Sequence, residues 1–290
     1  MNFRVSSRLV VGVVLGAGIL VTSGCSTDDP APPPAVGPTV STSPVPSAEA
    51  TGEATAPTPS ASQVESSVDA RVIDHANNRY LVVTLPLDEW DVRVDWNPED
   101  EGTMLRDVVA QDSTVAVATN GGIFTDQLVP GGLLVSGGEE LVGLNLNDGG
   151  GNFHLMPNGV FAVMVDGTAT VVNSVEYEPT GVEFATQSGP ALLLNGEVHP
   201  EFNEGSTNVA FRSGVGVSPE GDTVYLAMSW SLTNFHDFAT LFRVELGVDD
   251  ALYLDGDISR LWVDQMEEPG PLAGPYAGVI TARPHDKLKS

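Results

Sequence analysis

Cysteine is almost absent from this 290-residue chain: Cys25 is the single one. A lone thiol excludes an internal disulfide framework and leaves no thiolate-based zinc site. Basic residues are scarce too, with 12 Lys and Arg against 39 Asp and Glu. A net charge of −27 repels nucleic acid and anionic lipid headgroups, so no nucleic-acid partner is expected. Histidine is rare, at five residues, and none stands at zinc-ligand spacing. Asn145 to Gly149 is rich in oxygen ligands but lacks the downstream glutamate of a calcium loop, so neither a metal nor another cofactor is expected. The apolar run Leu9 to Val21 is too short to span a bilayer comfortably, which takes about 20 apolar residues.

That run has another use. Arg4 and Arg8 precede it, and the small residues Thr22-Ser23-Gly24 follow it. This is the three-part form of a secretory signal. Cys25 comes next and resembles the acylated cysteine of a bacterial lipobox, although Thr22 stands where that pattern usually has Leu. Residues 1–24 are therefore expected to be a lipoprotein signal peptide. Cys25 is expected to carry the lipid, and the protein to sit on the extracytoplasmic face of the cell membrane. The competing reading is an ordinary cleaved signal with an incidental free thiol. Without Arg4 and Arg8 the basic count falls to ten, against the same 39 acids.

Residues 25–69 are dominated by Pro, Ala, Ser, Thr and Gly, with almost no large apolar side chain. Such a stretch cannot bury enough surface to offset its ordering entropy, and it reads as a disordered tether. From residue 70 to 290 the composition changes to short Val, Leu, Phe and Tyr runs separated by Gly, Asn and Asp, enough for one core. Hairpins are expected around Asn77-Asn78, Gly137-Gly138 and Asp166-Gly167, with strands at Asp91–Asp95 and Val115–Ala118 and a short helix within Gly102–Gln111. A better-marked helix starts at the cap Asn234, carries Phe235, Phe238, Ala239, Phe242 and Leu246 at helical spacing, and stops at Gly247. Strands on both sides of it suggest a crossover. The fold class is α+β, a strand-rich single domain with few helices.

Polar clusters at strand ends are where function collects. They are Asn120-Gly121-Gly122-Ile123-Phe124, Gly151-Asn152-Phe153, Gln187-Ser188-Gly189-Pro190, Arg212 with Gly214-Val215-Gly216, and Leu254-Asp255-Gly256-Asp257-Ile258-Ser259. With Gly132-Leu133, Asn158-Gly159-Val160-Phe161 and Ala251-Leu252-Tyr253, this ordered set resembles the bacterial phosphodiester glycosidase domain family, related to the lysosomal uncovering enzyme. The resemblance covers roughly residues 70–265. Asp257 departs from it, because many relatives have Gly after the Asp-Gly pair. It implies hydrolysis of a glycosyl phosphodiester, with a carbohydrate or sugar-phosphate as partner.

The residues can be assigned tasks from chemistry alone. Cleavage at an anomeric carbon needs a carboxylate, and an anionic leaving phosphate needs Arg or backbone amides. Asp255, at a strand end before a glycine, is the first candidate carboxylate, and Asp237 is the second, although it also suits a helix cap. Arg212 is the expected phosphate partner. Asn120, Asn152, Gln187 and Ser188 are the expected hydrogen-bonding set for sugar or phosphate. His236 and Glu183 read more simply as neighbours of these elements. The alternatives are a non-catalytic surface lipoprotein that binds glycan or polymer, and an adhesion scaffold.

Overall fold

The computed structural model describes residues 68–97, 99, 101–266 and 273–285. The signal peptide at 1–24, Cys25 and the tether up to residue 67 lie outside the described residues. The chain opens with β1 (Asp69–His75), β2 (Asn78–Pro86) and β3 (Trp90–Asp95), followed by α1 (Leu105–Gln111) and β4 (Val117–Asn120). Two hairpins come next, β5 (Leu134–Ser136) with β6 (Glu139–Val142), and β7 (Gly159–Met164) with β8 (Ala169–Asn173). Then follow β9 (Val182–Ser188), β10 (Ala191–Leu194), β11 (Glu197–Val198), β12 (Ser213–Val217) and β13 (Thr223–Ser229). The last elements are α2 (Phe235–Thr240), β14 (Asp250–Asp255), β15 (Leu261–Val263) and β16 (Val279–Pro284). Strands dominate, and the class is the α+β one expected.

Three antiparallel sheets result. Their orders are β1-β2-β13-β12-β14-β10-β11, β15-β4-β16-β3 and β6-β5-β9-β7-β8. One core is common to all three: Leu226 and Leu252 from the first, Val94 and Ile280 from the second, and Phe161 and Phe184 from the third are buried together. Strand β2 explains its own burial. Leu81, Val83 and Leu85 point into that common core, while Tyr80 and Val82 point to a second core on the opposite face, as the period of two demands.

The three expected hairpins form. The first turns at Ala76-Asn77, one residue earlier than expected, with both residues at positive φ as a two-residue turn requires. Gly137 and Gly138 supply the same geometry between β5 and β6. Helix α1 is shorter than expected because Thr103 pairs with Tyr276 and holds that end extended. Strand β4 starts two residues later than expected.

Helix α2 begins where the cap predicts. The Asp237 amide donates to Asn234 Oδ1 at 2.8 Å, and Asn234 Nδ2 donates to Asp237 Oδ2 at 2.8 Å. After Thr240 it widens into a π turn over Leu241–Glu245 before Gly247, at φ +66°, ends it. The crossover is real: β13 and β14 both pair antiparallel with β12, so they run parallel to each other, and α2 packs over the sheet between them.

The Ser213-Gly214-Val215-Gly216-Val217 run now makes physical sense. Val215 and Val217 enter the common core. The two glycines face α2, where a Cβ on Gly216 would lie 2.8 Å from Phe242 Cδ1 and one on Gly214 would lie 3.1 Å from Phe238 Cε1. The missing side chains let the phenylalanines rest on the sheet. Gly216→Ala should therefore overpack this interface at a cost of about 1–3 kcal/mol. That corresponds to a melting temperature several degrees lower by calorimetry, and an unchanged melting temperature would disprove the tight fit.

Candidate functional site

Four strand ends meet at one place. Asn120 ends β4, Ser188 ends β9, Ser213 begins β12 and Asp255 ends β14, and Ser213 lies opposite Asp255 in the β12–β14 ladder. The loop after Asp255 is stitched to the other three. Ser188 Oγ donates to the Leu254 carbonyl at 3.0 Å, and Ser259 Oγ donates to the Asp255 carbonyl at 2.9 Å and shares a hydroxyl–hydroxyl hydrogen bond with Ser213 Oγ at 2.9 Å. Asn120 Oδ1 accepts the Arg260 amide at 3.1 Å, and Asn120 Nδ2 donates to Ser213 Oγ at 3.0 Å. Thr119 Oγ1 donates to the Arg260 carbonyl at 2.6 Å. Asn120, Ser188, Ser213 and Ser259 are all buried, so the loop rests on a polar network with water excluded.

Above this network opens a cavity of about 840 Å³. Among the described residues, its charged lining consists of Asp126, Asp255, Asp257 and one cation, Arg260. Aromatic walls come from Phe124, Phe153, Tyr253 and Tyr276. Burial pushes the Asp255 carboxyl up to about 6; the Gly256 amide, which donates to Asp255 Oδ1 at 2.6 Å, opposes this, and the neighbouring charge of Asp257 adds to it. Burial likewise raises Tyr276 to about 12 and Tyr253 well above the ordinary phenol value, so both hydroxyls stay neutral donors. Arg260 donates from Nη1 to the Ser259 carbonyl at 2.6 Å, and its buried Nε has no hydrogen-bond partner.

The structure sorts the residues expected from sequence into two groups. Asp255 and Asn152 line the cavity. Asn120, Gln187, Ser188, Arg212 and Asp237 do not line it. Asn120 and Ser188 belong to the network beneath. Gln187 is spent on the backbone of the neighbouring loop: its Oε1 accepts the amides of Leu133 at 3.0 Å and Asn145 at 2.9 Å, and its Nε2 donates to the Asn145 carbonyl at 2.7 Å. Asp237 holds the α2 cap, as described above.

Arg212 is the main relocation. It is 1% exposed and sits behind the cavity wall. Its Nε donates to the Thr233 carbonyl at 2.9 Å and its Nη2 to the Asn208 carbonyl at 3.2 Å. Its guanidinium carbon lies 3.5 Å from the centre of the Phe235 ring and 5.6 Å from that of Tyr253. Desolvation lowers its pKa, and Tyr253 is a hydrogen-bonding and electrostatic partner. Arg212 thus supports Tyr253, which faces the cavity. Among the described residues, the cation that reaches the cavity is Arg260, which sequence reasoning passed over. Its signal was its place, five residues after Asp255 in a chain poor in cations.

The sequence model of the phosphodiester glycosidase family matches residues 113–280, more than half of the chain. The chain belongs to the phosphodiester glycosidase family. An uncharacterized protein of Escherichia coli K12, YigE, is 38% identical over 170 residues, which cover 58% of this chain and 66% of that relative, just under two-thirds of its length. Among solved structures, the catalytic domain of zebrafish N-acetylglucosamine-1-phosphodiester alpha-N-acetylglucosaminidase, auto-inhibited by its pro-peptide, shares the fold. The TM-score is 0.52 at 18% identity, covering 77% of this chain and 85% of that one.

The raised Asp255 carboxyl has a consequence for stability. Its folded value of about 6 lies above the ordinary 3.8, so the folded state holds the proton more tightly. The stability this brings is present at low pH and is lost as pH rises from about 4 through 6. Above pH 6 the buried charge costs at most ~3 kcal/mol, at about 1.36 kcal/mol per pH unit. Asp255→Asn should therefore raise the melting temperature at pH 8 and leave it nearly unchanged at pH 4. Equal shifts at the two pH values would show that Asp255 titrates normally.

Proposed function

We propose that the chain hydrolyses a glycosyl phosphodiester in the cavity above the Asp255–Arg260 loop. The observation that carries this reading is one carboxylate of raised pKa and one arginine lining the same cavity in a member of this family. Water attacks the anomeric carbon, the bond from that carbon to the phosphate oxygen breaks, and a phosphomonoester leaves. Asp255, ionised above about pH 6, accepts the proton of the attacking water. Arg260 pairs with the non-bridging phosphate oxygens by charge-assisted hydrogen bonds. The phosphate leaves without strong acid help, so the carboxylate serves the sugar side. The neutral hydroxyl of Tyr253 and the amide of Asn152 hold sugar or phosphate oxygens.

The zebrafish enzyme's name supplies the first substrates to try, N-acetylglucosamine 1-phosphodiesters. Asp255→Asn should lower kcat by at least 100-fold with little change in KM, because it acts on the transition state. Arg260→Ala should mainly raise KM, roughly ten- to a hundred-fold, as the loss of a charged contact of about 1.5–3 kcal/mol requires. The native kcat/KM should fall on acidification through pH 6, following Asp255. An Asp255→Asn protein of native activity would refute the assignment. A chain that binds glycan but turns over no phosphodiester would be a binding module.

The location we propose is the extracytoplasmic face of the membrane, held by a lipid on Cys25, on the strength of the signal-like run before it. Cys25→Ser should move the protein from the membrane fraction to the soluble extracytoplasmic fraction and abolish labelling by a fatty-acid probe. Full membrane retention of that variant would exclude the anchor.

A further inference from the structure

The cavity is larger than a hexose and its phosphate need, being near the top of the roughly 300–1,000 Å³ range of small-molecule sites. Part of its wall is apolar. Phe124 and Tyr276 meet edge to face at 6.4 Å between ring centres. Leu128 and Pro275 converge beside them, so that a Cβ placed on Gly102 would lie 2.8 Å from Leu128 Cδ1 and 2.6 Å from Pro275 Cβ. A sugar held here would need directional polar partners. Phe124, Leu128 and Pro275 have none on their side chains, and the Tyr276 hydroxyl donates to the Ile258 carbonyl at 2.9 Å. Asp126, in the same turn as Leu128, is exposed to solvent.

Leu128 is the more telling residue. It sits at φ +58°, the left-handed region that a bulky side chain rarely enters. The turn fixes it there, with the Leu128 amide donating to the Thr125 carbonyl at 2.9 Å and the Thr125 amide to the Val129 carbonyl at 2.9 Å. Asn or Gly would hold this backbone with less strain, yet the position carries a large apolar group that lines the cavity. Of eleven large apolar side chains exposed among the described residues, Ile258 lines the cavity, and Val129, Val209 and Phe211 adjoin lining residues in the chain. Exposed apolar surface at a cavity marks a binding site.

We propose that Phe124, Leu128, Pro275 and Tyr276 form a subsite for a hydrocarbon chain carried on the substrate's phosphate. The substrate class is then a lipid-linked glycosyl phosphodiester. The inference rests on the proposed glycosidase reading of the cavity and names its substrate more closely. The phosphate stays with Arg260, the sugar lies toward Asn152 and Tyr253, and the chain extends along the apolar wall past Ile258 toward solvent.

Methyl, butyl and octyl phosphate, each below its micellar concentration, test the subsite without requiring turnover. Calorimetric titration of the full chain should show octyl phosphate binding at least tenfold tighter than methyl phosphate. Leu128→Asn, which suits the left-handed backbone, should cut that octyl-to-methyl ratio at least fivefold, and Ile258→Ser should cut it too. Val165→Ser, an exposed apolar position in the β7–β8 turn, should leave the ratio unchanged. A native ratio near one, or a ratio that survives both Leu128→Asn and Ile258→Ser, overturns the subsite. N-acetylglucosamine 1-phosphate esters of the same alcohols separate the two readings. Turnover with no chain-length preference removes the lipid subsite and keeps the glycosidase. Tight octyl phosphate binding with no ester hydrolysed keeps the subsite and removes the glycosidase.

Discussion

The buried contact among Asn120, Ser213 and Ser259 is the constraint on which the site depends. One asparagine side chain ends β4, bonds the first residue of β12 and receives the amide of Arg260. One serine hydroxyl then links that junction to the carbonyl of Asp255. Two sheets and the loop bearing Asp255 and Arg260 are thereby held by side chains with no access to water. Hydrogen bonds in such a setting gain from the low dielectric, and leaving any one unmade is costly. The position of the carboxylate relative to the arginine is therefore a property of the framework and not of a mobile loop.

The same burial explains the chemistry. A carboxylate placed at a strand end, short of full solvation, becomes reluctant to ionise, and its proton affinity moves toward the neutral range. Arg212, stacked on Phe235 behind the wall, brings a positive charge near the Tyr253 hydroxyl without offering itself to a ligand. Stability is given up at Asp255 and at the left-handed Leu128, both at the cavity, as is usual where geometry serves a ligand.

Much of this was legible in the sequence, and the exceptions share a cause. Hairpin turns, the Asn234 cap and the strand–helix–strand crossover rest on local rules, and they appeared within a residue or two of the expected places. The polar clusters at strand ends drew attention to Asn120, Gln187, Ser188 and Arg212, and each stands at or next to the end of a strand. What sequence could not give was the direction in which each side chain points. Asn120 and Gln187 face backbone groups brought from more than 40 residues away, so their partners exist only after folding. Arg212 looked like the phosphate ligand because cations are rare. In the fold a stacked aromatic ring and two carbonyls occupy it, and Arg260, in an unpatterned stretch, takes the place at the cavity.

The order of the four-stranded sheet has a kinetic meaning. The last described strand, β16, lies between β4 and β3, and among the described residues β3 pairs with it alone. During synthesis, Trp90 to Asp95 must wait for residues 279–284, nearly 190 positions later, before its backbone is paired. Non-local closure of this kind slows folding, because the pairing cannot form until residues 279–284 have been made. A chain cut short before residue 279 therefore leaves β3 without its partner, and the four-stranded sheet closes only when β16 arrives.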